Sequence, residues 1–380
     1  MSNLNQMSGK YVIAGIGQTA FGKLPGRSTI SLNIEACKNA LIDAGIGKDQ
    51  VDALLVKTPT SAREFMYGQK LAAAMGMRPK IGGSWDQGGA ANIALISNAM
   101  NAIEAGQCEI ALVCYADNPK TGNRDHFSRP RGDDAVYGWF STAAGYAMIQ
   151  QRHMIEFGTK GEDFGMIAKA ARRHGAANPN AQLRKEIDIE SYLQSPMSIE
   201  PLRRDDCCLV SDGGAAVIIM SATKARDLGI DHAIPILGLG QGQTSADLTN
   251  RPSLTSTEAV VSAKTAFAMA KLQTKNIDVV QIYDCFTIAV MMTLEDYGFC
   301  PKGQFGSWAA NGYLEIDGEL PLNTSGGLLS ETGMPGLQLI LEGVKQMRGS
   351  ANLQVPKAKK CLISNQGGTM HTHGTLILGN

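Results

Sequence analysis

Apolar and polar positions change their period repeatedly along this 380-residue chain, and the changes mark alternating strands and helices. Tyr11 to Gly15 is a short apolar run ending at Gly17-Gln18-Thr19, and it reads as a strand. From Thr29 to Ala44, residues Leu32, Ile34, Ala36, Ala40 and Leu41 form the apolar face of a helix. Val51 to Val56 is a second strand, and Phe65 to Ala74 a second helix. A short apolar strand then runs into the segment Gly82-Gly83-Ser84-Trp85-Asp86-Gln87-Gly88-Gly89-Ala90-Ala91, which opens a long helix over Ala91 to Ala105. Glu109 to Tyr115 is almost continuously apolar, as expected of a strand buried on both faces. After Asp117 the alternation stops. Residues 117–205 carry polar turns and helices with mixed faces, and read as a long insertion.

Gly213 to Met220 resumes the strand series, and a second, similar half follows. It contains a strand at Ile236 to Gly240, a helix at Glu258 to Leu272, a strand at Val279 to Tyr283 and a helix at Thr287 to Tyr297. Leu337 to Met347 is helical with Gly349 as its stop, and Cys361 to Ser364 and Thr375 to Leu378 are closing strands around a glycine turn. Alternation of this kind predicts an α/β protein of mixed sheets covered by helices. The repeat divides the chain into halves 1–232 and 233–380, alike in architecture rather than sequence.

Composition narrows the function class. At 44% hydrophobic and 18% charged, the chain can bury a large core. Lys plus Arg equals Asp plus Glu at 35 each, so nothing calls for nucleic acid or an anionic surface. No apolar run approaches the roughly 18 residues that suggest a membrane span. The polar stretch Met1 to Lys10 lacks the apolar core of a signal peptide. The eight cysteines include no Cys-x-x-Cys pair, which predicts buried reduced thiols in a cytoplasmic protein and no metal site.

Five segments carry a resemblance. They are Ser84 to Ala91; Asp206-Cys207-Cys208-Leu209-Val210-Ser211-Asp212-Gly213-Gly214-Ala215-Ala216; Tyr283-Asp284-Cys285-Phe286-Thr287; Asn323-Thr324-Ser325-Gly326-Gly327-Leu328-Leu329; and Ser364-Asn365-Gln366-Gly367-Gly368. In this order they resemble the thiolase superfamily, specifically its sterol-carrier-protein-type, lipid-transfer-protein-like branch. The resemblance implies a five-layer αβαβα fold, acyl-CoA thioesters as substrates with coenzyme A as their only cofactor-like part, and a homodimer.

Thiolase chemistry uses a cysteine thiolate at a helix N-terminus, helped by the helix dipole, with a histidine and a second cysteine moving protons. Here the nucleophile position falls at Gly88 to Ala90, best matched by Gly89, without thiol or hydroxyl. Tyr283 replaces one family histidine, Met334 replaces another, and Asn365 replaces the C-terminal cysteine. The pattern is similar to that of aldolases of steroid side-chain degradation, which carry a glycine turn and a Tyr-Asp pair and work with a small OB-fold and zinc-ribbon protein. The chain departs from them too. Their second tyrosine aligns with Gly333 and a following histidine with Pro335. His371 and His373 are candidates for the missing proton carrier; if their segment is extended, both point to one face.

The expected site therefore comprises Tyr283, His371, His373 and Asn365 as proton-moving or oxyanion-holding groups, with Gly88, Gly89, Gly327 and Gly368 against the substrate. Ser84 and Asp86 are expected to cap the helix, Asp284 to give structural support, and Cys285 to be no nucleophile. The basic residues Arg124, His126, Arg129, Arg131, Arg172, Arg173, His174, Arg203 and Arg204 either bind CoA phosphates or form a solvated face. Tyr137, Trp139, Phe140 and Tyr146 line either an acyl pocket or a contact surface, with no site assigned to them. Three functions remain open on sequence: aldol-type cleavage or formation of a carbon–carbon bond, acyl transfer with a partner subunit, and a non-catalytic CoA- or lipid-binding subunit.

Overall fold

The computed structural model describes residues 6–123, 133–139, 141–334 and 336–380. Pro335, Phe140, Arg124, His126, Arg129 and Arg131 lie outside the described residues.

Nine strands form one continuous sheet with a seam. On one side stand β1 (Tyr11–Gln18), β2 (Ala53–Lys57), β3 (Ile81–Trp85), β4 (Ile110–Asp117) and β7 (Gly213–Ser221), in the order β3-β2-β4-β7-β1. On the other stand β8 (Ile234–Gln243), β11 (Thr372–Gly379), β10 (Lys360–Gly367) and β9 (Val279–Gln281). Among the described residues, the register pairs Val12↔Pro235 and Ile13↔Ile234 join the two half-sheets, with the Gly9 N–H donating to the Ile236 carbonyl (2.8 Å) beside them. A separate hairpin pairs β5 (Met197–Ile199) with β6 (Leu202–Arg203) in the insertion.

Each half repeats one scheme. Strands β3, β2 and β4 run parallel and then meet antiparallel β7 and β1. Strands β9 and β10 run parallel and then meet antiparallel β11 and β8. A single parallel bridge, Val280↔Leu322, stands where the second half would have its counterpart of β3.

Helix α1 (Thr29–Ala44) covers the outer face of the first half-sheet. Ser28 caps its start and Gly45, at φ +67°, ends it. Beside it lies α2 (Tyr67–Ala74); the turn predicted from Phe65 starts two residues later, with Phe65 85% exposed. Between the half-sheets lies α3 (Ala91–Glu104), which touches β2, β4 and β7 on one side and β8, β10 and β11 on the other. Its near-continuous burial from Ala91 to Ile96 requires the almost all-apolar sequence seen there.

The insertion supplies α4 (Thr142–Phe157), α5 (Gly161–Ala177) and the short α6 (Ile189–Leu193). After it come α7 (Ala222–Asp227), α8 (Ala259–Ala270), α9 (Thr287–Tyr297), and the single-turn helices α10 (Phe305–Trp308) and α11 (Gly327–Ser330). The last helix, α12 (Leu337–Arg348), shares the central layer with α3. Helix α8 covers the outer face of the second half-sheet, with α9 packed on it and on the insertion. The result is helix, sheet, helix, sheet, helix: the five layers expected. Among the described residues no helix is long and apolar enough to cross a membrane.

Candidate active site

The strand predicted over Val279 to Tyr283 stops at Gln281. Two side chains then replace the sheet ladder. Asn323 accepts from the Ile282 N–H through Oδ1 (2.7 Å) and donates to the Ile282 carbonyl through Nδ2 (2.8 Å), and Ser364 Oγ accepts from the Tyr283 N–H at 3.0 Å. The backbone thus leaves the sheet while remaining held, and carries the Tyr283 ring inward, with Tyr283 only 7% exposed.

The ring ends over Gly89. A Cβ built on Gly89 would lie 2.6 Å from the Tyr283 hydroxyl and would collide with the Gln366 carbonyl oxygen. The volume that a cysteine side chain would need is therefore filled by a phenol and a backbone carbonyl. Gly88, at φ +57°, is tight in the same way: its Cβ would stand 2.6 Å from Gly367 Cα and 2.9 Å from Gly368 N. The Gly88-Gly89 and Gly367-Gly368 turns are pressed together, and no side chain fits between them. Helix α3 begins here with no side-chain cap. Asp86, expected to cap the helix, instead accepts from the Gly88 N–H at 3.1 Å and pairs with Arg63, stiffening the turn.

His371 and His373 do not share a face, because β11 begins only at Thr372. His371 lies in the turn, where its N–H donates to the Gly367 carbonyl at 2.9 Å and its ring folds over Gly368. His373 points into the layer beneath α8, with Nδ1 2.9 Å from Ser262 Oγ and its ring edge-on to Tyr297 at 5.6 Å. Burial pushes its imidazole down to about 3, so it stays neutral. The expectation that both histidines enter the pocket together or miss it together is corrected: His371 borders the glycine turns and His373 is packed into the core.

Asn365 is fully buried between the two central helices. Its Nδ2 donates to the Gly336 carbonyl (3.3 Å) and the Ser364 carbonyl (2.7 Å), and its Oδ1 has no hydrogen-bond partner among the described residues. Gly327 belongs elsewhere: it lies against Asp284 and Asn323. Asp284 caps α11, accepting from the N–H groups of Leu328 (2.7 Å) and Leu329 (3.2 Å), and burial raises its carboxyl to about 6. Gly333 leaves no room for a tyrosine, since even a Cβ would run into the Leu209 carbonyl oxygen. Met334 is core, at 1% exposure. Burial raises the Cys285 thiol to about 12, which makes it a poor nucleophile.

Two residues at the site are not singled out by the sequence. Tyr146, from α4, is fully buried; it donates to the Gly368 carbonyl at 3.1 Å and stacks on Phe286 at 4.3 Å. Its only sequence signal is membership of an aromatic cluster, and that cluster splits: Tyr137 is 75% exposed, while Trp139 packs over Gly145. Gln366 carries no signal of its own between Asn365 and the glycine turn. Several basic candidates are occupied structurally. Arg172 pairs with Asp205 (2.7 Å), Arg173 pairs with Glu315, His174 Nδ1 meets the Leu322 carbonyl (2.8 Å), and Arg203 donates to the Ser195 carbonyl (2.8 Å).

A helix-start glycine turn between two half-sheets, with a phenol where a thiol would stand, defines a thiolase fold with a rebuilt centre. Comparisons with known proteins agree. Residues 240–380 match the thiolase C-terminal domain-like family. The chain is 33% identical to a steroid side-chain-cleaving aldolase of Thermomonospora curvata, covering 99% of both chains. It is also 33% identical to the 17-hydroxy-3-oxo-4-pregnene-20-carboxyl-CoA lyase of Mycobacterium tuberculosis, covering 98% of this chain and 100% of that one. Among solved structures, an Ltp2-ChsH2(DUF35) aldolase superposes with a TM-score of 0.88 at 33% identity over 98% of both chains. Human mitochondrial 3-ketoacyl-CoA thiolase shares the fold, with a TM-score of 0.74 at 14% identity, covering 97% of this chain and 98% of that one. The chain belongs to the SCP2-thiolase-like retro-aldolase branch of the thiolase superfamily.

Proposed function

We propose that this protein is a lyase that cleaves the Cα–Cβ bond of a β-hydroxyacyl-CoA thioester by retro-aldol chemistry, with no acyl-cysteine intermediate. The observation that carries this reading is the Tyr283 hydroxyl standing in the volume above Gly89. In the reaction a base takes the β-hydroxyl proton, the Cα–Cβ electrons pass into the thioester as an enolate, and an acid returns a proton to Cα. A ketone or aldehyde and a shorter acyl-CoA result. The change is redox-neutral, and coenzyme A enters as part of the substrate.

Burial and the neighbouring Cys285, Cys208 and Asp284 hold the Tyr283 phenol well above its ordinary value. Tyr283 is therefore protonated near neutral pH and suits the acid role. His371, beside the same glycine turn, is the base. The N-terminus of α3, which has no side-chain cap, faces the developing enolate oxygen, while the Gly88 N–H is held by Asp86 and keeps the turn in shape. Gly368, under the His371 ring, borders the substrate at the rim of the closed glycine turns, and Asn365, whose amide hydrogens are both engaged, holds a water through Oδ1. His373 and Gly327 support the framework.

Two assembly features complete the reading. The chain works with a DUF35-type partner, by analogy with the Ltp2-ChsH2(DUF35) aldolase whose fold it shares. It also pairs with a second copy through β3, a sheet edge with no proline or lysine within the strand itself and flanked by Phe65, Met66 and Trp85, all well exposed. Eight free cysteines suit a cytoplasmic location.

The test is direct. The protein, alone and with a DUF35-type partner, is incubated with 17-hydroxy-3-oxo-4-pregnene-20-carboxyl-CoA and with smaller 3-hydroxyacyl-CoA thioesters. Release of a carbonyl compound with a shortened acyl-CoA supports the reading. CoA-dependent cleavage of 3-ketoacyl-CoA in its place would refute it.

A further inference from the structure

The turn that carries His371 is tied to three parts of the molecule. From the second half, the Thr244 N–H donates to the His371 carbonyl (2.8 Å) and the Arg251 guanidinium donates to the Thr369 carbonyl. Toward the first half, Thr372 Oγ1 donates to the Gln87 carbonyl (2.9 Å). These ties fix Thr369 and the residues after it. At the Gly368 carbonyl the donor, among the described residues, is the Tyr146 hydroxyl from the insertion, at 3.1 Å. Gly368 is also the platform for the imidazole. A Cβ built on it would lie 2.3 Å from His371 Nδ1, so the ring rests directly on that residue. Where the Gly368 peptide stands therefore sets where the His371 ring stands.

Tyr146 is itself held by a circuit of hydrogen bonds. A carbonyl only accepts, so Tyr146 donates to Gly368. Its oxygen accepts from the Cys285 thiol (3.3 Å), and the sulfur accepts from Gln366 Nε2 (3.4 Å). The circuit leaves the turn at Gln366 and returns to it at Gly368. On the way it passes through Cys285, two residues after Tyr283, and through helix α4. Burial, with Cys285 beside it, holds the Tyr146 phenol well above its ordinary value, and burial pushes the Cys285 thiol up to about 12. Both groups keep their protons near neutral pH, so the direction of donation is constant. The Tyr146 ring is fixed as well, by its stack on Phe286 at 4.3 Å.

We propose that Tyr146 and Cys285 are positioning residues for the proton-transfer pair: acting through the Gly368 carbonyl, they set the His371 ring in place relative to the Tyr283 hydroxyl. The proposal rests on the reading of His371 as the base and Tyr283 as the acid. It gives the motif cysteine a role that needs no nucleophilic thiolate. Proton transfer depends on the placement of the base within a fraction of an ångström, so the cost of breaking the circuit should fall on kcat rather than KM. Hydrogen bonds to and from sulfur are weak, so Tyr146 should matter more than Cys285.

Kinetics and a ring signal test it together. Tyr146→Phe keeps the ring and its stack and removes only the donor. It should lower kcat about 10-fold, the scale of one hydrogen bond, with KM unchanged. In protein labelled with carbon-13 histidine, it should also shift the His371 ring signal, assigned by its loss in His371→Asn. Tyr67→Phe, which removes a buried hydroxyl hydrogen-bonded to Asn33 in the outer layer, should do neither. Cys285→Ala should give a smaller loss of kcat that Cys285→Ser recovers. In the Tyr146→Phe background, Cys285→Ala should cost nothing further, because the thiol acts through the phenol. Wild-type kcat in Tyr146→Phe, an unmoved His371 signal, or additive losses in the double variant would overturn the assignment. Failure of the retro-aldol reading looks different: wild-type cleavage rates in His371→Asn, whatever the His371 signal does in Tyr146→Phe.

Discussion

The starts of α3 and α12 are the same feature built twice, and they have diverged. Both helices lie between the half-sheets and both begin at a glycine turn without a side-chain cap. At α3 the space above Gly89 is taken by the Tyr283 hydroxyl. At α12 the space above Gly336 is taken by the amides of Asn365 and Asn92, and Gly333 is closed by the Leu209 carbonyl. One turn keeps a proton donor at its mouth; the other is packed shut with groups that do not titrate. Loss of a nucleophile therefore does not by itself mean loss of chemistry. The group that replaces the lost side chain decides.

The largest effect should come from breaking the reactive turn. Tyr283→Phe is expected to lower turnover about 10²-fold or more, as for other general acid–base groups. The fold should survive, because the Ser364 hydrogen bond uses the Tyr283 backbone N–H rather than the phenol. Wild-type kcat in that variant would remove Tyr283 from the mechanism.

Restoring the ancestral-looking residue is the second way to sharpen the contrast. Gly89→Cys should not create thiolase activity. It should displace Tyr283 and cost roughly 1–3 kcal/mol of stability through overpacking, seen as a lower midpoint in urea together with lost cleavage. Gain of a stable acyl-cysteine, read by mass spectrometry, would contradict the account of that space.

At the closed turn the expected effect falls on stability. Gly333→Ala drives a methyl into the Leu209 carbonyl, and about 1–3 kcal/mol should be lost. The control is Gly83→Ala, where a Cβ meets nothing within 4 Å and the change should be close to neutral.

The smallest effect separates the two histidines. The folded value of His373 is depressed to about 3, below the usual 6.5, so the unfolded chain binds more protons between those limits. His373 thus contributes stability that is present above about pH 6.5 and is lost as pH falls toward 3. His373→Asn should flatten that acid decline in thermal melts and leave the pH–rate profile unchanged. His371→Asn should do the reverse, lowering kcat with little change in the melts.

Much of the fold is legible in the residue pattern, and the exceptions have physical causes. The boundaries of α1 match the predicted span because period and caps agree there, and those of α9 match with its end marked by Gly298 at φ +81°. Strand β9 is shorter than its apolar run, since Asn323 and Ser364 replace the ladder, and side-chain substitution of this kind leaves no periodic trace. Only an extended backbone would link the two histidines, and the turn through His371 removes that link. Tyr283 and the paired glycines are readable because they occupy a motif. Tyr146 is not, since it reaches the site from the insertion across more than a hundred residues, and only tertiary packing brings it to Gly368.

The most direct measurement is a crystal structure with a non-cleavable acyl-CoA bound. The account predicts the β-oxygen and α-carbon within hydrogen-bond reach of the Tyr283 hydroxyl and the His371 ring, above the bare Gly88-Gly89 turn. An acyl group resting elsewhere, or no proton donor within reach of those atoms, would contradict it.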